Sequence, residues 1–277
     1  MNQMTPDLTF ILSLALRMAV SAAFVVTAAA ITERSGPVIG ALIATLPISA
    51  GPTYVFLALD HDAAFIAQGA LASFAVNAVT MVFCLTYVVL AQRYNTAISV
   101  GGAVAVWIAL ASLERLVPWS LASAFIANAV AFAICIPAFK GFQHVKKMPL
   151  ITRRWYDIPL RATMVATLVA IVVSLSRWVG PLISGTIALF PVVLSSVTLI
   201  LHPRIGGPAT AAMIANGGWG MMGFGLGIAV LHVAAVPLGS AAALSLALAT
   251  CVIWNLVLWR MGRRRIAVIA SEAKQPR

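Results

Sequence analysis

Apolar residues fill long blocks of this chain, and polar and charged residues gather in short islands between them. Blocks near 20 apolar residues are long enough to cross the hydrocarbon core of a bilayer as helices. The pattern predicts an all-α polytopic membrane protein of about nine spans: 8–31, 37–59, 63–91, 97–113, 118–139, 157–177, 180–202, 209–236 and 239–260. The fourth is the shortest, and only "ERLVP" separates it from the fifth. The first block, "LTFILSLALRMAVSAAFVVTAAAI", lacks a basic leader and a small-residue cleavage site. It is expected to stay as a helix rather than be removed as a signal peptide.

One stretch occurs twice. "GPVIGALIATLP" runs from Gly36 to Pro47, and "GPLISGTIALFP" begins 144 positions later at Gly180 and ends at Pro191. At that offset ten of 41 residues match without a gap between 17–57 and 161–201, including Arg17/Arg161, Gly36/Gly180, Pro37/Pro181 and Pro47/Pro191. The expected organisation is a first membrane repeat of four spans at 1–117 and a linker helix with a basic cytoplasmic loop at 118–156. A second repeat of four spans follows at 157–262, and then a basic tail at 263–277. Five spans separate each helix from its counterpart, so the two copies are expected to point in opposite directions, as in many secondary transporters.

The paired prolines then acquire a geometry. Pro37 and Pro181 suit the first turn of a helix, where the missing N–H costs little. Ten residues further, at ~1.5 Å each, lies about half the hydrocarbon thickness. Pro47 and Pro191 are therefore expected near the midplane. There a proline removes a hydrogen bond that lipid cannot replace. Such breaks are tolerated facing protein or a cavity, although many membrane prolines only shape the bundle.

Charge orients the chain. Only 9% of residues are charged, against about 25% in soluble domains. The net charge of +11 reads as topology, because Lys and Arg collect on the cytoplasmic side. Lys140, Lys146, Lys147, Arg153, Arg154 and Arg161 mark the longest loop as cytoplasmic. The expected location is the inner membrane, multi-pass, with the N-terminus outside and the C-terminus in the cytoplasm. Cys84, Cys135 and Cys251 sit inside apolar blocks and read as small core residues, not a disulfide or metal set.

Candidate chemistry is sparse. Arg17 lies deep in the first span, where an arginine must be paired or face water. The candidate substrate-binding set is Arg17, Thr45, Pro47, Ser49, Tyr54, Asn77, Thr186, Pro191, Ser195 and Ser196. Hydroxyls can serve ligands or bond back to their own helix. Gln68, Asn77, Thr80 and Asn216 can glue helices together, and Gly223 with Gly227 allows a close approach. "DHD" at Asp60-His61-Asp62 reads as a solvated loop, and Glu114-Arg115 as a local pair. No nucleotide-binding, nucleophile-elbow or zinc-protease motif is present, so neither an enzyme nor a cofactor or metal is expected.

"SGTIALFPVVLSSVTLILH", Ser184 to His202, resembles the small GlpM-like inner-membrane proteins through Leu189-Phe190-Pro191 and His202. The first half departs from that pattern: Leu46-Pro47 lacks the Phe, and Ala58 stands for the His. The resemblance implies single halves of four spans, here fused as an inverted pair, and a link to exopolysaccharide production with no established activity.

The expected function is a secondary transporter or permease for a small organic anion or an amphipathic lipid-like molecule, bound between two proline-broken helices. The alternatives are a non-transporting subunit or scaffold of an envelope polysaccharide system, and a channel. Expected partners are membrane lipids and the small-molecule substrate, with no nucleic acid; a homo-oligomer stays open.

Overall fold

The computed structural model describes residues 8–34, 47–144 and 154–272. Among them α1 spans Leu8–Arg34, α2 Ala50–Asp60, α3 Ala63–Leu90, α4 Thr96–Glu114 and α5 Leu121–Phe139, followed by a 3₁₀ turn at Lys140–Phe142. Then come α6 at Asp157–Ala188, α7 at Val192–Ile205, α8 at Gly207–Asn216, α9 at Gly218–Leu238 and α10 at Ser240–Glu272. Seven of these helices, α1, α3, α4, α5, α6, α9 and α10, are long and apolar enough to cross a membrane. The chain is an all-α polytopic membrane protein.

Short polar residues start the spans where the sequence stops being apolar. Asp62 accepts from Phe65 N–H at 2.8 Å and Asn95 from Ile98 N–H at 3.0 Å, each satisfying a first-turn donor. Ser120 and Ser123 bond reciprocally and open α5 three residues later than the apolar pattern begins. Gly206 and Gly239, at φ +86° and +80°, turn the chain sharply between helices where a Cβ would be strained.

Two boundaries differ from expectation. The helix expected to end at 177 runs on to Ala188, interrupted only at Gly180, where φ is +73° and ψ 179°. Pro181 follows at the first turn of the resumed helix, where no N–H is needed. The span expected at 209–236 is two helices that meet at Gly217. Thr45 and Pro37, with the rest of 35–46, lie outside the described residues.

Helix starts recur at the offset read from the sequence. α3 begins at Ala63 and α8 at Gly207, and α4 begins at Thr96 and α10 at Ser240, each pair 144 positions apart. Packing recurs as well. α3 lies against α4 as α9 lies against α10, and α4 touches α7 as α10 touches α2. α1 packs on α6 and α3 packs on α9. Helix α5 covers α3 and has no counterpart.

Small residues set the tightest crossings. A Cβ on Gly185 of α6 would fall within 2.8 Å of the Gly69 Cα on α3, so the two backbones touch. On α9, Gly223 makes room for the Trp254 side chain of α10, and Gly227 lies against the Cys251 side chain and the Ala247 carbonyl. The expected packing role of that GxxxG step is what the helices use.

Candidate functional site: a cavity between Pro47 and Pro191

The chain leaves α6 and enters α7 through three residues. Leu189 and Phe190 N–H bond to Thr186 and Ile187 carbonyls at 3.2 and 2.9 Å, tightening the last turn. Val192 N–H then reaches Phe190 O at 2.6 Å around Pro191, whose φ −74° and ψ 55° form an inverse γ-turn. Pro191 carries no N–H to continue the ladder, so the helix stops and restarts. Neither Pro191 at the start of α7 nor Ser49 at the start of α2 supplies a side-chain cap. Two helix N-termini, the positive ends of their dipoles, therefore open here without a capping side chain.

The break at Pro191 and the start of α2 beside Pro47 border one cavity of about 190 Å³. Pro47 to Ala50 form one side and Ala188 to Pro191 the other. α3 contributes Thr80 and Cys84, and the α8–α9 junction contributes Met213, Gly217 and Phe224. Trp107 of α4 buttresses this wall: its ring meets Phe190 edge-on at 5.2 Å, and its Nε1–H donates to Thr80 Oγ1 at 3.2 Å. A second space of about 620 Å³, between α1, α2, α9 and α10, shares Pro47, Ala50 and Phe224 with the first.

The expected site residues separate into three groups. Pro47, Ser49 and Pro191 line the smaller cavity, and Tyr54 lines the larger one. Tyr54 OH also meets Ser73 Oγ at 2.6 Å, and Ser73 donates to Gly185 O at 2.6 Å, tying α2, α3 and α6 at their crossing. Thr186 and Ser196 bond back to Leu182 and Val193 carbonyls, the commoner use of such hydroxyls. Ser195 is buried beside the break, and its Oγ has no hydrogen-bond partner. Asn77 donates to Asn128 Oδ1 at 2.9 Å, and Asn128 donates to Phe74 O at 2.7 Å, so this amide joins α3 to α5.

Arg17 lies on neither cavity wall. Its guanidinium grips both oxygens of Asp60 at the end of α2, with Nη2 to Oδ1 at 2.7 Å. The charge is met inside the protein, which is how an arginine at that depth becomes tolerable. At the far end of the bundle Asp157, at the start of α6, takes Arg204 near the end of α7. Asp60 and Arg204 are 144 positions apart. α1 is thus clamped to the tip of α2, and α6 to the tip of α7, with the sign of the charges exchanged.

"DHD" is not a solvated loop. Asp60 holds Arg17, Asp62 caps α3, and His61 stacks on Phe65 at 3.8 Å while its Nε2 meets Ser176 Oγ of α6 at 2.9 Å. At the opposite end His202 Nδ1 meets Tyr87 OH at 3.0 Å. Glu114 is buried and its Oε2 has no hydrogen-bond partner, so it does not form the expected pair with Arg115. Among the described residues no three His, Cys, Asp or Glu could hold a metal ion.

Burial holds His61 below the ordinary imidazole range of 6.5; Arg177 adds to this, and Asp60 and Asp62 oppose it. The unfolded chain therefore binds a proton that the folded one resists. Stability from this contact is present above pH 6.5 and lost as pH falls below it. Between pH 7.5 and about 5, the wild-type melting temperature should fall further than that of His61→Gln, measured in detergent. Equal slopes would remove His61 from the account.

Sequence reasoning missed Cys84 and Phe224 in the cavity wall and Trp107 behind it, because an apolar residue in a span carries no mark of which neighbour it faces. No protein-family model, curated protein or solved structure matches the chain.

Proposed function

We propose that this protein is a secondary transporter or permease whose substrate sits between Pro47 and Pro191. The observation that carries the reading is the single cavity bordered by the Pro191 break and by the start of α2 beside Pro47. Matched interrupted helices in corresponding positions of two repeats are where transporters place their sites. The recurrence of helix starts at one offset supports two repeats, and the odd helix α5 between them supports their opposite orientation. The basic loop before α6 supports a cytoplasmic location for the Asp157 end of the bundle and an inner-membrane setting.

The cavity's polar equipment consists of the Ser49 hydroxyl and main-chain groups beside Pro47 and Pro191, because the Thr80 hydroxyl is spent on Val76 O and Trp107 Nε1–H. No charged side chain lines it. This favours the amphipathic, lipid-like substrate over the small organic anion, and it gives Arg17 a structural task instead of a ligand.

Cys84 offers a test without a known substrate. It lines the cavity, whereas Cys135 does not. In liposomes, a Cys135→Ala/Cys251→Ala variant should react at Cys84 with a membrane-impermeant thiosulfonate added from either side. Adding Pro191→Ala, which lets the helix run through, should slow that reaction more than about tenfold. Complete silence from both sides would overturn transport and leave the subunit of an envelope system as the better reading.

A further inference from the structure

We infer that the 620 Å³ space holds an acyl chain, so that the substrate is a lipid-like amphiphile entering sideways from the bilayer. The inference rests on the transport reading and names the substrate class of the same site. Sites for small molecules run from about 300 to 1,000 Å³, and this space of about 620 Å³ falls within that range.

Its wall offers water nothing. Its polar side chains are those of Tyr54, Ser245 and Cys251. Tyr54 OH is spent on Ser73, Ser245 Oγ on Ala241 O, and Cys251 Sγ on Gly223 O. A cavity whose polar groups are all taken stays dry and accepts apolar guests.

The space also has a direction. Its rim is Val20, Phe24, Val55 and Leu248, each between 46% and 48% exposed on the flank of the bundle. α1 and α10 are membrane-crossing helices at these positions, so what their exposed side chains meet is lipid. The floor is Ile228 and Leu231, 5% and 3% exposed. From there the space reaches Pro47, Ala50 and Phe224, the wall it shares with the cavity between Pro47 and Pro191. A chain entering at the rim would place its polar end by Ser49 and the two helix N-termini, where hydrogen bonds can be made. The rest of the molecule would stay in carbon surroundings.

The experiment uses the full chain in liposomes containing phosphatidylglycerol with a diazirine midway along one acyl chain. After irradiation, adducts mapped by mass spectrometry should appear on Ile228 and Leu231 as well as on lipid-facing Ile253. Leu248→Trp, a change at the exposed rim, should cut floor adducts several-fold and leave those on Ile253. Floor labelling no greater than at the fully packed Val76 would overturn the inference, as would a Val20→Cys disulfide between two copies that shields the rim. The two readings fail separately. Cys84 that reacts with an unlabelled floor ends the lipid assignment alone, whereas a labelled floor with silent Cys84 ends transport and leaves a lipid-binding protein.

Discussion

Alanine at Gly185 should lower the melting temperature of the detergent-solubilised protein by roughly 10 °C or abolish folding. The added Cβ would meet the Gly69 main chain, within 2.6 Å of its carbonyl carbon. Overpacking costs typically about 1–3 kcal/mol where side chains can yield. Here both partners are backbone, so the helices themselves must separate. Separation also stretches the Ser73 bond to Gly185 O and, through it, the contact with Tyr54. For a chain of this size each kcal/mol moves the midpoint by about 2–4 °C. Gly101→Ala is the control, because nothing lies within 4 Å of its would-be Cβ. Equal melting of the two variants would mean that α3 and α6 do not cross at Gly69 and Gly185.

Removing Arg17 should be nearly as damaging. The Arg17 and Asp60 side chains are 16% and 9% exposed, so Arg17→Ala leaves a carboxylate largely out of water. Losing one member of a buried pair costs about 3–5 kcal/mol, while replacing both with apolar residues is often neutral. Arg17→Ala should therefore fall near the low end of that range, and Arg17→Met/Asp60→Leu should recover most of the loss. Exchanging the charges, Arg17→Asp with Asp60→Arg, reproduces the polarity already used by Asp157 and Arg204 and should recover part of it. Thermal scans of the four proteins provide the check. If Arg17→Ala melts like wild type, the clamp has no structural weight.

The fold was legible because lipid enforces the pattern: a span must be apolar and helical throughout, so block length alone locates it. The break at Pro191 was legible because proline cannot hide its missing N–H. Arg17's partner was not legible. Asp60 lies 43 residues away beside a second aspartate and a histidine, a grouping that reads as a water-exposed turn. The extension of α6 to Ala188 was hidden because Gly-Pro reads as a full stop. In the structure Gly180 absorbs the bend and the helix resumes. Hydroxyls were over-read: Thr186 and Ser196 look available in the sequence and are spent on their own helices.

Helix α5 is the piece without a mate, fastened to α3 by the Asn77–Asn128 hydrogen bond and packed less extensively on α9. Two identical halves, one inverted, would make the inward-open and outward-open forms mirror equivalents of equal energy. A brace held more tightly by one half than by the other removes that degeneracy, so such a carrier would rest with one mouth open and would need its cargo, or a gradient, to visit the other.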